Sequence, residues 1–177
     1  MNIIKKSTLA SALLIGLVVS ASASANAASS NATVTWTGTV PGVTASDTVV
    51  ITGLAGDLNA LNGTITTSTS GVFESDAIIL ESHTNDIASG GTAATPVVGP
   101  LASANWTLIS SGVTYDGIAN PAQVVEVNIN GAPIITGDVV SGTETITTTI
   151  KQTADLPEAE VGGSTVQANV IVMADVI

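Results

Sequence analysis

From Ala32 onward the chain alternates apolar and polar positions with a period of two, and no period near 3.6 persists long enough to specify a long helix. The first run, Ala32-Thr-Val34-Thr-Trp36-Thr-Gly38-Thr-Val40, sets apolar residues and one glycine at even positions and threonine at odd ones. Pro41-Gly42 ends it as a turn. The same pattern predicts strands over 48–52, 63–68, 72–84, 104–110, 123–130, 133–136, 143–152 and 164–177. Turn dipeptides separate them: Asn62-Gly63, Ser70-Gly71, Gly90-Gly91, Asn120-Pro121, Asn130-Gly131 and Gly162-Gly163. Thr and Val fill the strands, and their branched β-carbons suit a pleated, half-buried surface better than a helix. Short strands punctuated in this way specify one all-β domain, a sandwich or barrel, with no internal repeat or linker to divide it.

The segment 164–177 is the most regular. Val166, Ala168, Val170, Val172, Ala174 and Val176 form one wholly apolar face, and Ile171 and Met173 make the other face apolar toward the end. A strand apolar on both faces is expected inside a sheet rather than at its edge. Termini fray unless paired, so both this segment and the leading run are expected to find partners.

Residues 1–27 follow a different grammar. Lys5 and Lys6 precede an apolar stretch from Leu9 to Val19, and a small-residue run ends Ala23-Ser-Ala25-Asn-Ala27. That is the order of a secretory signal, with cleavage expected after Ala25 or Ala27, and the apolar stretch is shorter than a membrane span requires. Export is the expectation.

Composition narrows the chemistry. The chain has 14 Asp+Glu against 3 Lys+Arg, for a formal charge of −11. Beyond the signal, Lys151 stands alone against all the carboxylates, and there is no arginine. Such a surface repels phosphate backbones and acidic lipid, so no nucleic-acid partner is expected. It also lacks the guanidinium fork that grips carboxylates and phosphates. With no Cys there is no disulfide, thiolate nucleophile or thiolate zinc site, and a single His rules out a multi-histidine metal site. No cofactor is expected. Still, 45% hydrophobic residues against 10% charged allow a packed core rather than disorder.

Catalytic candidates are few. His83 is the one possible base for a serine triad, but it lies in Glu81-Ser-His-Thr-Asn-Asp without a Gly-x-Ser-x-Gly elbow, and a hydrogen-bonded or solvated histidine is the preferred reading. The acid pairs Glu74/Asp76, Glu81/Asp86 and Glu158/Glu160 offer carboxylates for glycoside hydrolysis or calcium. Neither a sugar-stacking platform nor a recognisable calcium loop accompanies them, so solvated loop charges are expected. Lys151, in a strand-like stretch, raises an isopeptide cross-link to Asn of the kind found in some Gram-positive pilins; an uncross-linked lysine is preferred. Asn31, Asn62 and Asn105 begin Asn-x-Ser/Thr triplets that matter only in a glycosylating host. No catalytic or metal residue is assigned, and the chain is not expected to be an enzyme.

Two stretches carry a resemblance. Ala32-Thr-Val-Thr-Trp36-Thr-Gly-Thr, followed by Thr48-Val-Val-Ile-Thr52-Gly-Leu, and the closing Leu156-Pro-Glu158 with Gly163-Ser-Thr-Val-Gln167-Ala resemble the two ends of alpha-clade chaperone–usher fimbrial subunits, the clade of the common-pilus major pilins. Between them only Ile79-Leu80 and Thr84-Asn85 align, and Val176 stands where many such subunits carry Tyr. The resemblance implies an immunoglobulin-like sandwich lacking its final strand and completed by donor-strand exchange. It divides the chain into a signal over 1–27, an N-terminal donor extension over 28–40 and an incomplete pilin domain over 41–177. The donor would present Ala28, Ser30, Ala32, Val34 and Trp36. The acceptor groove of the next subunit would be lined by Val49, Ile51, Val166, Ala168, Val170, Val172, Ala174 and Val176. Implied partners are identical subunits in a head-to-tail filament, a periplasmic chaperone, an outer-membrane usher and a tip adhesin. The implied function is a shaft subunit of a surface fimbria, supporting adhesion or biofilm formation. The alternatives are a secreted monomeric β-sandwich that binds or coats, and, less favoured, an exported hydrolase.

Overall fold

The computed structural model describes residues 33–35, 45–59 and 61–177. The expected signal, its cleavage sites and the rest of the 28–40 extension lie outside the described residues.

The chain is all-β. Its strands are β1 (Thr33–Thr35), β2 (Val49–Thr52), β3 (Thr64–Thr67), β4 (Phe73–Ser75), β5 (Ile78–Asn85), β6 (Val98–Leu101), β7 (Ala104–Tyr115), β8 (Val125–Ile129), β9 (Ala132–Ile134), β10 (Val139–Thr143), β11 (Thr145–Gln152) and β12 (Val166–Val176). One four-residue helix, α1 (Glu158–Val161), precedes β12. It is too short to show a helical period in sequence, which is why the alternation gives no sign of it.

The larger sheet is built around β4 and β5, which follow one another as a single strand interrupted at Asp76-Ala77. One edge of this pair meets β11 and then β6. Its other edge meets β3 and then β2. Where β11 passes from β5 to β4, the Ser75 hydroxyl accepts the Ile150 N–H at 3.0 Å, so the break leaves that buried donor satisfied. The sheet continues through β8 to β9 beyond β11, and β1 adds antiparallel to β3. Asn130 and Gly131 join β8 to β9 with φ of 53° and 78°, the left-handed pair a tight hairpin needs. Neither β6 nor β10 is legible in the alternation. Pro100 marks β6 as an edge strand, and a Cβ at Gly99 would lie 2.8 Å from the Thr84 carbonyl oxygen, so glycine permits this close approach.

The smaller sheet has the order β10-β7-β12. On β7 the buried positions are Ala104, Trp106 and Leu108, then Val113 and Tyr115. The switch from even to odd comes from a bulge: Val172 faces Leu108 and Ile171 faces Ser110, leaving Ile109 as the extra residue. The bulge explains why the sequence pattern stops at 110 although the strand runs on to Tyr115.

The two sheets close over a common core in two clusters, one around Phe73, Leu108, Tyr115 and Ile150, the other around Trp106, Ile129 and Ile146. Its two buried aromatic polar groups are matched, whereas the buried Thr148 hydroxyl has no hydrogen-bond partner among the described residues. The Trp106 indole N–H donates to the Thr143 carbonyl at 2.9 Å, and the Tyr115 hydroxyl to that of Gly71 at 2.9 Å. Burial pushes the Tyr115 hydroxyl pKa up.

One expectation is corrected. Among the described residues β12 pairs with β7 alone and is an edge strand, not an interior one. Val166 and Ala168 are buried, but from Val170 on every residue is half-buried or exposed. The sequence encodes cover on both faces of this half, and the described residues supply it on only one.

Candidate functional groove

The edges of the two sheets that face each other are β2 and β12. β2 is apolar because it belongs to the core wall: Val49, Val50 and Ile51 are all buried. Its hydrogen bonds go to β5 on one side, Val49 opposite Thr84 through Thr52 opposite Glu81, and no described strand takes the other side. Across from it lies the second half of β12. Between them runs an open groove of about 580 Å³ with Val49, Ile51, Val172, Ala174 and Val176 along it, Ile109 at its side, and Ser46 and Asp175 as polar margin.

Of the eight residues expected to line an acceptor groove, Val49, Ile51, Val172, Ala174 and Val176 meet here. Val166 and Ala168 do not: they are closed into the core with Leu156 and Val161, and half-buried Val170 packs against that cluster. The open groove is thus confined to one end of β12. Sequence reading missed Ile109, which the bulge on β7 turns outward. The available signal was the adjacent apolar pair Leu108-Ile109, which breaks strict alternation.

The other end of the same edge is occupied. β1 runs antiparallel to β3, with Val34 opposite Ile65, and it lies against β12. Of the expected donor residues, Val34 falls in this strand, while Ala28, Ser30, Ala32 and Trp36 lie outside the described residues.

Six of the candidate chemical residues, His83, Glu81, Asp86, Asp76, Glu160 and Lys151, make hydrogen bonds or ion pairs within the fold. His83 is buried; its Nδ1 donates to the Gly99 carbonyl at 2.8 Å and its Nε2 meets Glu81 Oε2 at 3.1 Å. Glu81 also accepts the Gly56 N–H at 3.0 Å. Burial pushes the Glu81 carboxyl up, but hydrogen bonds from the Gly56 N–H, His83 and the Ala55 N–H outweigh it and hold the group below the usual glutamate value. The pair ties β6 and the turn at Leu54–Gly56 to β5. Asp86 caps the turn Ile87–Ser89 through the Ser89 N–H and hydroxyl, which lower its pKa. Asp76 receives the Thr64 N–H and hydroxyl, and Glu160 the Asn120 side-chain amide. Lys151 Nζ lies 2.7 Å from Glu126 Oε1, its partner directly across the β8–β11 ladder. That hydrogen bond and charge raise the lysine and lower the glutamate. A half-exposed ammonium held by a carboxylate is a poor nucleophile for an amide cross-link. Among the described residues no group of three or more His, Cys, Asp or Glu is placed to hold a metal, and no helix is long and apolar enough to cross a membrane.

Searches of family models, curated proteins and solved structures return no match to this chain.

Proposed function

We propose that the protein is a structural subunit of a surface fimbria, an incomplete immunoglobulin-like sandwich whose β2–β12 groove is filled by residues 28–40 of the next copy. The observation that carries this reading is the groove itself: two facing sheet edges with unpaired outer sides among the described residues, floored by Val49, Ile51, Val172 and Ala174. An added strand would satisfy the open edges and cover the apolar floor together, which is recognition by strand addition. The occupant is chosen on two grounds. The 28–40 stretch carries the required alternation, and β1, part of it, already pairs on the neighbouring section of the same edge. Burying Val34 and Trp36 would contribute about 1.5–3 kcal/mol each. Each new main-chain hydrogen bond would add roughly 0.5–1.5 kcal/mol. A head-to-tail contact of this type does not close on itself and grows a filament. Export to the periplasm, a chaperone that lends a strand, an outer-membrane usher and a tip adhesin belong to the same reading, as does a role in adhesion or biofilm formation.

The test is a pair of variants. Deleting residues before Gly38 should give a subunit that binds a chaperone but joins no neighbour. Appending residues 28–40 after Ile177 through a flexible linker should give a soluble monomer of raised melting temperature. A truncated chain that is monomeric and equally stable without a chaperone would overturn the proposal. The second reading, a secreted monomer complete in itself, is favoured by the pairing of β1 with its own β3.

A further inference from the structure

We infer that the chain's own leading strand, docked on β3, is an autoinhibitory contact, so that a subunit must release β1 from itself before passing it to a neighbour. The inference rests on the strand-insertion reading and adds a regulatory step to it.

The β2–β3 edge is continuous in direction: both run antiparallel to the β4–β5 strand, β2 beside one end and β3 beside the other. β1 occupies the β3 end, paired with β3 and lying against β12. The open groove occupies the β2 end. One edge is therefore half filled by the chain itself and half free. A donor arriving from another copy meets the free half first and must displace β1 to occupy the rest.

The hydrogen-bond pattern shows how β1 is held. Ser68 N–H donates to Val72 O and Asp76 N–H to Thr64 O, which bracket the β3–β4 ladder and make Thr66 and Glu74 a hydrogen-bonded pair. The N–H and C=O of Ile65 therefore point the other way, toward Val34. The docked strand is three residues long, a short ladder that opens readily. Its advantage is being on the same chain: the local concentration of a tethered strand is about millimolar, above that of free subunits in dilute solution. Dilute subunits are thus closed, and crowding them, or supplying a strand that invades from the β2 end, shifts β1 outward. The exchange is a domain swap of the leading strand.

Thr33 faces Thr66, and Thr35 faces Thr64, in the non-hydrogen-bonded positions of this ladder, where Cα atoms approach to about 4.5 Å, within reach of a disulfide. The chain has no cysteine to interfere. The experiment is Thr33→Cys/Thr66→Cys in the purified exported protein, with Thr35→Cys/Thr64→Cys as a second variant should the first fold poorly. Oxidised as a dilute monomer, the pair should close within one chain, and the locked protein should fail to form chains where its reduced form does. Oxidised after assembly, the same pair should cross-link neighbours into a ladder on a non-reducing gel. A locked monomer that assembles as fast as the reduced one overturns the autoinhibition and leaves strand insertion standing. Failure of the bond to form in the monomer overturns the docking. A reduced protein that never chains, while the intramolecular bond forms, keeps the docking but defeats strand insertion, and with it the regulatory step.

Discussion

Glu81 and His83 show how a residue pair that looks reactive in sequence serves the fold. Both are buried, and each joins β5 to a different neighbour, Glu81 to the turn at Gly56 and His83 to β6. Because the folded state holds the Glu81 carboxyl below its ordinary value of 4.5, its contribution is fully present above that pH. Below it the unfolded chain takes up the proton first, and the contribution is lost as pH falls toward the folded value. Thermal melts from about pH 5 toward 3 should show the native protein losing stability more steeply than Glu81→Gln, which starts lower and has no such proton to gain. Val176 presents the opposite case. It lines the groove and is 38% exposed, so Val176→Asp should change the folding free energy by no more than about 0.5 kcal/mol. On the proposed strand insertion, the same change puts a carboxylate under the inserted strand, and light scattering should record loss of chain growth while the melt is unchanged.

At the scale of elements, alternation revealed most of the strands because each has one face in the core and one outside, as in β11, whose burial alternates along its whole length. What it did not reveal were places where the backbone departs from period two or where neighbours decide the outcome. The split of 72–84 at Asp76-Ala77 depends on β11 changing partners from β5 to β4, a tertiary event with no local pattern. The walls of the groove were half legible. Val49, Ile51 and the later β12 residues read as apolar edges, but that Val166 and Ala168 would be closed off by Leu156 and Val161 depends on how the segment before β12 folds back. The double-sided apolarity of 171–173 was legible and led to an interior placement, whereas the strand lies at an edge. The bulge at Ile109 holds the two halves of β7 in phase. Deleting that residue should turn Trp106 and Leu108 out of the core, and loss of the Trp alone costs about 3–5 kcal/mol, so chemical denaturation should find little folded protein. Ile109→Ala keeps the extra residue, and with a side chain already 43% exposed it should fold nearly as the native chain does.

For the molecule as a whole, charge would set the terms of the proposed assembly. The described residues carry 14 carboxylates and a single lysine, so two copies approach against like fields. Raising the ionic strength from about 0.01 to 0.15 M shortens the screening length from about 30 to 8 Å, and if copies assemble as proposed this should accelerate the growth followed by light scattering. A steric or purely apolar encounter would show little such dependence. The Lys151–Glu126 pair has another consequence. Trypsin-like enzymes cut after lysine or arginine, and among the described residues they have one bond to attack, Lys151–Gln152. It lies in β11 with β8 on one side and β4 on the other, and Gln152 is 1% exposed. Cleavage there requires the strand to leave both neighbours, so the nicking rate in trypsin should follow global unfolding. The folded domain is then a trypsin substrate only in the fraction of time it spends open.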